Sequence, residues 1–69
     1  MYTAVKATYG VEQERTEPKA TIAEAIDAGV TMATARLGIH LEDYARQELT
    51  ANKFLFLGNG DCIIIDKAA

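Results

Sequence analysis

Apolar and polar residues alternate at two different periods along the 69-residue chain, and the switch between them marks out its elements. Residues 2–9 (Tyr-Thr-Ala-Val-Lys-Ala-Thr-Tyr) are rich in β-formers, and a period of two puts Val5, Ala7, Tyr9 and Val11 on one face of a strand. Gly10 stands where a bend or bulge fits. Glu12–Glu17 is polar, readable as an edge extension of the strand or as a loop, and Pro18 ends any regular pairing.

Thr21-Ile22-Ala23-Glu24 has the form of a capping box, in which the Thr hydroxyl and the Glu carboxylate each satisfy a backbone N–H of the first turn. The period then becomes helical. Ile22, Ile26, Gly29, Ala33 and Leu37 form one stripe, widened by Ala23 and Val30. Gly38 is placed as a left-handed C-cap. Gly29 costs about 1 kcal/mol relative to Ala in mid-helix. Its place on the stripe predicts a close backbone approach as compensation. A second helix is expected from about His40 to Ala51, with Leu41, Tyr44, Ala45 and Leu49 as its apolar face and Glu42–Arg46 as a surface pair. Asn52 ends it.

Lys53–Leu57 and Cys62–Asp66 are β-type runs joined by Gly58-Asn59-Gly60-Asp61 and read as a hairpin, with Asn59-Gly60 supplying positive φ. The predicted order is β-α-α-β-β: one α+β domain over residues 1–69, with a three-stranded antiparallel sheet and two helices on one face. In the hairpin, Phe54, Phe56, Cys62 and Ile64 share one side, and Leu55, Leu57, Ile63 and Ile65 share the other. Two helices cover one side only. An uncovered Leu/Ile face is a patch of the kind that marks an interface, so Leu55, Leu57, Ile63 and Ile65 are the candidate self-association residues and a homodimer is expected.

A chain this short buries only about 60% of its unfolded surface, and small domains usually rely on a staple. Cys62 is the single cysteine, and Cys62 with His40 falls short of the four ligands of a structural zinc site. Oligomerisation is the staple left. The lone thiol, the absence of an export signal and the short apolar runs point to a cytoplasmic protein, of a cell or of an infected host, with no membrane association.

The net charge of −3 arises entirely in the middle of the chain, where Glu24, Asp27, Glu42, Asp43 and Glu48 outnumber Arg36 and Arg46. Such a segment repels phosphate backbones, so nucleic acid is not an expected ligand. These five acids are the candidate partner-binding surface.

Little in the chain carries chemistry. There is no serine, so serine nucleophiles are excluded. Cys62 opens an isoleucine strand and reads as a small hydrophobe; His40 has no evident partner. Glu42 and Asp43 complement the dipole of a helix start, and no metal ligand set is formed. Gly58–Asp61 lacks the helix and the Lys-Ser/Thr of a phosphate loop. Tyr44 reads as core.

The helix, Gly-containing turn, helix and hairpin over residues 21–66, centred on Leu37-Gly38-Ile39, resemble the small phage Cro repressors. That resemblance implies a helix-turn-helix DNA-binding regulator acting through Arg46 and Gln47. It departs from the pattern at Gln47, which falls on a buried position, and at Glu42 and Asp43, where phosphate is approached. The expected function is therefore a non-enzymatic, cofactor-free protein-interaction module. It would be a regulator, inhibitor or adaptor of the sort phages and mobile elements encode, with charge mimicry of a nucleic acid as one mode. The Cro-like regulator and an oligomeric small-molecule or nucleotide binder are the alternatives.

Overall fold

The computed structural model describes residues 1–68. Its elements are β1 (Tyr2–Thr8), β2 (Val11–Arg15), α1 (Ile22–Leu37), a 3₁₀ turn (Ile39–Leu41), α2 (Glu42–Asn52), β3 (Phe54–Gly58) and β4 (Asp61–Lys67). The fold is α+β with two helices, as expected, but the antiparallel sheet has four strands rather than three, in the order β2-β1-β4-β3.

The additional strand is β2. Tyr9 and Gly10 both take positive φ, 50° and 80°, as a two-residue type I′ hairpin loop requires. A tyrosine is an unusual residue at the first of these positions, so the turn carries no sequence signature. The loop is held from outside: the Tyr9 N–H donates to Gly60 O at 2.8 Å, and the Tyr9 ring lies over Gly60, where an added Cβ would come within 2.5 Å of it. Every residue of β2 is exposed and four of its five side chains are polar, a composition suited to an unpartnered sheet edge.

The capping box at α1 forms as the sequence predicts. Thr21 Oγ1 accepts from the Glu24 N–H at 3.2 Å, and the Glu24 carboxylate accepts from the Thr21 N–H at 3.2 Å. Ala25, Ile26, Gly29, Val30 and Ala33 face inward; Ala23 points to solvent. Gly38 has positive φ (102°) with ψ at 150°, so the chain leaves α1 extended rather than through a left-handed cap. The second helix begins later than expected, after the 3₁₀ turn, and Lys53 (φ 59°) supplies the left-handed cap.

Both helices pack on the same side of the sheet, α1 over β1 and β4, α2 beside it over β3. The core between them comprises Ala4, Ile63, Ile65, Leu55 and Leu57 from the sheet and Ile26, Val30, Ala33, Ala45 and Leu49 from the helices. Gly29 sits where α1 comes close to both α2 and the sheet. A Cβ there would meet Leu49 Cδ1 at 3.0 Å, Ile65 Cδ1 at 3.2 Å and Ile63 Cγ2 at 3.3 Å, which is the close approach its helical position predicts. Tyr44 is not core: it is 49% exposed, because the inward stripe of α2 is only as wide as Ala45 and Leu49.

Candidate functional site

The side of the sheet away from the helices is the most distinctive surface of the molecule. Strand register fixes what lies on it. One row crosses the sheet as Arg15, Val5, Ile64, Phe54, and a second as Glu12, Ala7, Cys62, Phe56. The two halves of this face differ. Over β1, the Arg15 guanidinium folds back to donate to Thr3 Oγ1 at 2.8 Å and to the Glu12 carboxylate at 2.8 Å, with Asp66 at 3.5 Å. Beneath that network Thr3, Val5 and Ala7 are buried. Its hydrogen bonds hold Glu12 below the usual carboxylate range and Arg15 above the usual guanidinium value. Over β4 and β3 none of the described residues folds back. Phe54, Phe56 and Ile64 are 43%, 59% and 36% exposed, with Cys62 half-buried between them.

This corrects the expected self-association set. Leu55, Leu57, Ile63 and Ile65 are buried, at 2%, 6%, 0% and 9% exposure, in the core under the helices. The open apolar residues are the opposite set, Phe54, Phe56 and Ile64. The two-residue period makes both sides of the hairpin apolar and holds no signal for which side the helices take. On the side the helices take, the compact methyl ends of Leu49, Ile63 and Ile65 meet at Gly29 of α1.

The five candidate acids lie on the helical side and are only partly gathered. Asp27 of α1 forms an ion pair with Arg46 of α2. Glu42 and Asp43 lie close enough to raise the Arg46 pKa further, after the dominant hydrogen bond to Asp27. The expected Glu42–Arg46 pair is therefore displaced by an interhelical one. Glu24 is one turn away, engaged in the capping box, and Glu48 accepts from Asn52 Nδ2 at 3.4 Å.

At the end of the sheet near the turns, Asp61 accepts from Thr8 Oγ1 at 2.6 Å and pairs with Arg36. The Thr8 hydrogen bond, followed by that from Arg36, lowers the Asp61 pKa. Beside it Lys6, Glu14, Met32, Ala35 and Arg36 line a shallow groove of about 250 Å³. Its lining carries Lys6 and Arg36 against Glu14, and Arg36 is already paired with Asp61 beside the groove, so little net charge is left to attract an ion. His40 lies exposed in the 3₁₀ turn. Among the described residues no group of three or more His, Cys, Asp or Glu side chains is placed to hold a metal ion, and no helix is long and apolar enough to cross a membrane. Comparison with protein-family models, with curated proteins and with solved structures finds no match to this chain.

Proposed function

We propose that this protein is a non-enzymatic protein-interaction module whose contact surface is the open β3–β4 face. The observation that carries the reading is the exposure of Phe54, Phe56 and Ile64 together on the helix-free side of the sheet. Aromatic residues are enriched at interface centres, and contiguous apolar surface left in water marks such sites. Arg15, Glu12 and Asp66 border the patch as a polar rim, the arrangement typical of a contact surface.

Energetics say what else the interface needs. Fully burying one large apolar side chain yields about 1.5–3 kcal/mol, and each of these three is already about half buried, so together they supply roughly 3 kcal/mol. Association costs an estimated 4–15 kcal/mol in lost freedom. The patch anchors a partner without holding it alone.

The test is a quantitative pull-down with the wild-type chain and with Phe54→Ser combined with Phe56→Ser, alongside the mass of the protein in solution. A partner retained by the first and lost by the second supports the reading, provided both are folded by circular dichroism. Equal retention overturns it. A stable homodimer abolished by the same substitutions would make a second copy the partner.

A second reading, in which the acidic layer occupies the basic groove of a nucleic-acid-binding protein as a charge mimic, is favoured by the convergence of Asp27, Glu42 and Asp43 on Arg46. Glu42→Lys with Asp43→Lys abolishes binding on that reading and leaves it intact on the first. Cro-like DNA binding draws less support, since Arg46, one of the two residues it would use, is held by Asp27 among acids.

A further inference from the structure

We infer that the exposed edge of β3 accepts an extended segment of a partner protein as a fifth strand, so that the contact surface proposed above, on which this inference rests, is an edge and a face used together. The two edges of the sheet are built differently. The β2 edge carries Glu12, Gln13, Glu14 and Arg15, charges and amides that discourage another strand. The β3 edge, Phe54-Leu55-Phe56-Leu57-Gly58, carries no charge.

Among the described residues, its outward-pointing backbone groups have no partner. The Ile65 N–H donates to Lys53 O at 2.9 Å, which makes Lys53/Ile65 a hydrogen-bonded pair in the antiparallel ladder. Hydrogen-bonded and non-hydrogen-bonded pairs alternate, so Leu55/Ile63 is bonded and Phe54/Ile64 and Phe56/Cys62 are not. The N–H and C=O groups of Phe54 and Phe56 therefore point away from β4, toward the open edge. These unpaired groups specify what covers the edge: another extended backbone. The same two residues present their rings on the open face, so an added strand continues the apolar patch and supplies the affinity that the patch lacks.

The helical layer indicates which strand fits. α1 lies over β1 and β4 and α2 over β3. Packed helices stand about 8–10 Å apart, roughly two strand spacings of about 4.8 Å, which carries α2 to the line of β3 or slightly past it. Antiparallel pairing of β3 with β3 of a second copy would set two α2 helices about one strand spacing apart, closer than helices pack. A single strand without a helix behind it fits under that ledge. Arg46 reaches α1 through Asp27, and at about 100° per residue the side of α2 opposite Arg46 carries Tyr44 and Glu48. Tyr44, half exposed, then lies above the added strand as an apolar wall and Glu48 as an acidic mark, which with the chain's net charge of −3 favours an uncharged or basic segment.

The test uses the full chain and an acetylated, amidated Lys-Val-Thr-Val-Thr-Val-Lys peptide as probe, read by amide hydrogen exchange and amide NMR shifts. In the free protein the Phe54 and Phe56 amides exchange fast, while that of Leu55 is protected. Near-saturating peptide slows Phe54 and Phe56 by about tenfold or more and leaves Leu55 unchanged. Phe56→Pro removes the outward donor at an edge position that tolerates proline, and it binds the peptide at least about tenfold more weakly than Phe56→Ala, which loses the same ring. Slow exchange of Phe54 and Phe56 in the free protein, with a dimeric mass, would mean that a second copy already closes the edge and would overturn the inference. So would equal binding by Phe56→Pro and Phe56→Ala; a pull-down partner still lost with Phe54→Ser and Phe56→Ser would then leave the face reading standing and refute strand addition alone.

Discussion

Gly29→Ala tests how closely the two layers of this molecule are pressed together. On an open helix the change stabilises by about 1 kcal/mol, because alanine gives up less backbone freedom than glycine. At Gly29 the new methyl meets Leu49 Cδ1 at 3.0 Å, Ile65 Cδ1 at 3.2 Å and Ile63 Cγ2 at 3.3 Å. These belong to side chains that are 0%, 9% and 0% exposed, one on α2 and two on β4. None of them can retreat into water, and relief on one side tightens the other. Overpacking of this kind costs about 1–3 kcal/mol. Taking about 2 kcal/mol for a methyl gripped from two layers, the net effect is a loss of about 1 kcal/mol, or about 4–8 °C in Tm for a domain of this size. Thermal and urea unfolding followed by far-ultraviolet circular dichroism reads it, with Ala35→Gly on the exposed side of the same helix as the reference for propensity alone. That reference should lose about 1 kcal/mol. A Gly29→Ala protein more stable than wild type would refute the reasoning, since it would show the propensity gain undiminished and the approach of α1 to the sheet loose.

Other substitutions probe separate parts of the structure. Thr21→Ala removes the cap oxygen that accepts from the Glu24 N–H and should cost about 1 kcal/mol in chemical unfolding. Leu49→Ala empties a fully buried position between α2 and the sheet and should cost about 2–5 kcal/mol, enough to leave the chain largely unfolded if its total stability is near the low end for domains. Asp61 has a pKa below its usual 3.8 in the folded state, so its contribution is present above that value and is lost as pH falls through the lower folded value. Unfolding curves across the acid range should therefore fall less steeply for Asp61→Asn than for wild type, and an identical pH slope would contradict the Thr8 and Arg36 contacts as its cause. Phe56→Ser leaves a residue that is already 59% exposed and should change stability little while weakening partner binding.

The elements with self-contained local signals were legible in the sequence. Thr21 and Glu24 satisfy each other's backbone groups within one turn, and Asn59 and Gly60 take the positive φ values, 53° and 81°, that their residue types favour. Gly29 was legible because its helical cost demanded a compensating contact. Three features were hidden for physical reasons. The β1–β2 turn uses Tyr9, whose positive φ is sustained by a hydrogen bond and a ring contact to Gly60, fifty-one residues away in the chain. Arg46 pairs with Asp27 rather than Glu42 because helix packing brings an acid of α1 within reach. The hairpin is apolar on both sides, so only packing decides which side meets water; for that reason the exposed Phe54, Phe56 and Ile64 were indistinguishable from the buried Leu55, Leu57, Ile63 and Ile65.

The claim that the open face is a contact surface is tested most directly by photo-crosslinking. A benzoylphenylalanine introduced at Phe56, and separately at Glu14 on the opposite edge strand, is irradiated in lysate and the adducts are identified by mass. If the open face is the contact surface, the Phe56 site gives a discrete protein adduct that excess unlabelled wild-type chain competes away, and the Glu14 site gives none of that mass. The same adducts from both sites, or an adduct at Phe56 that the wild-type chain fails to displace, would contradict it.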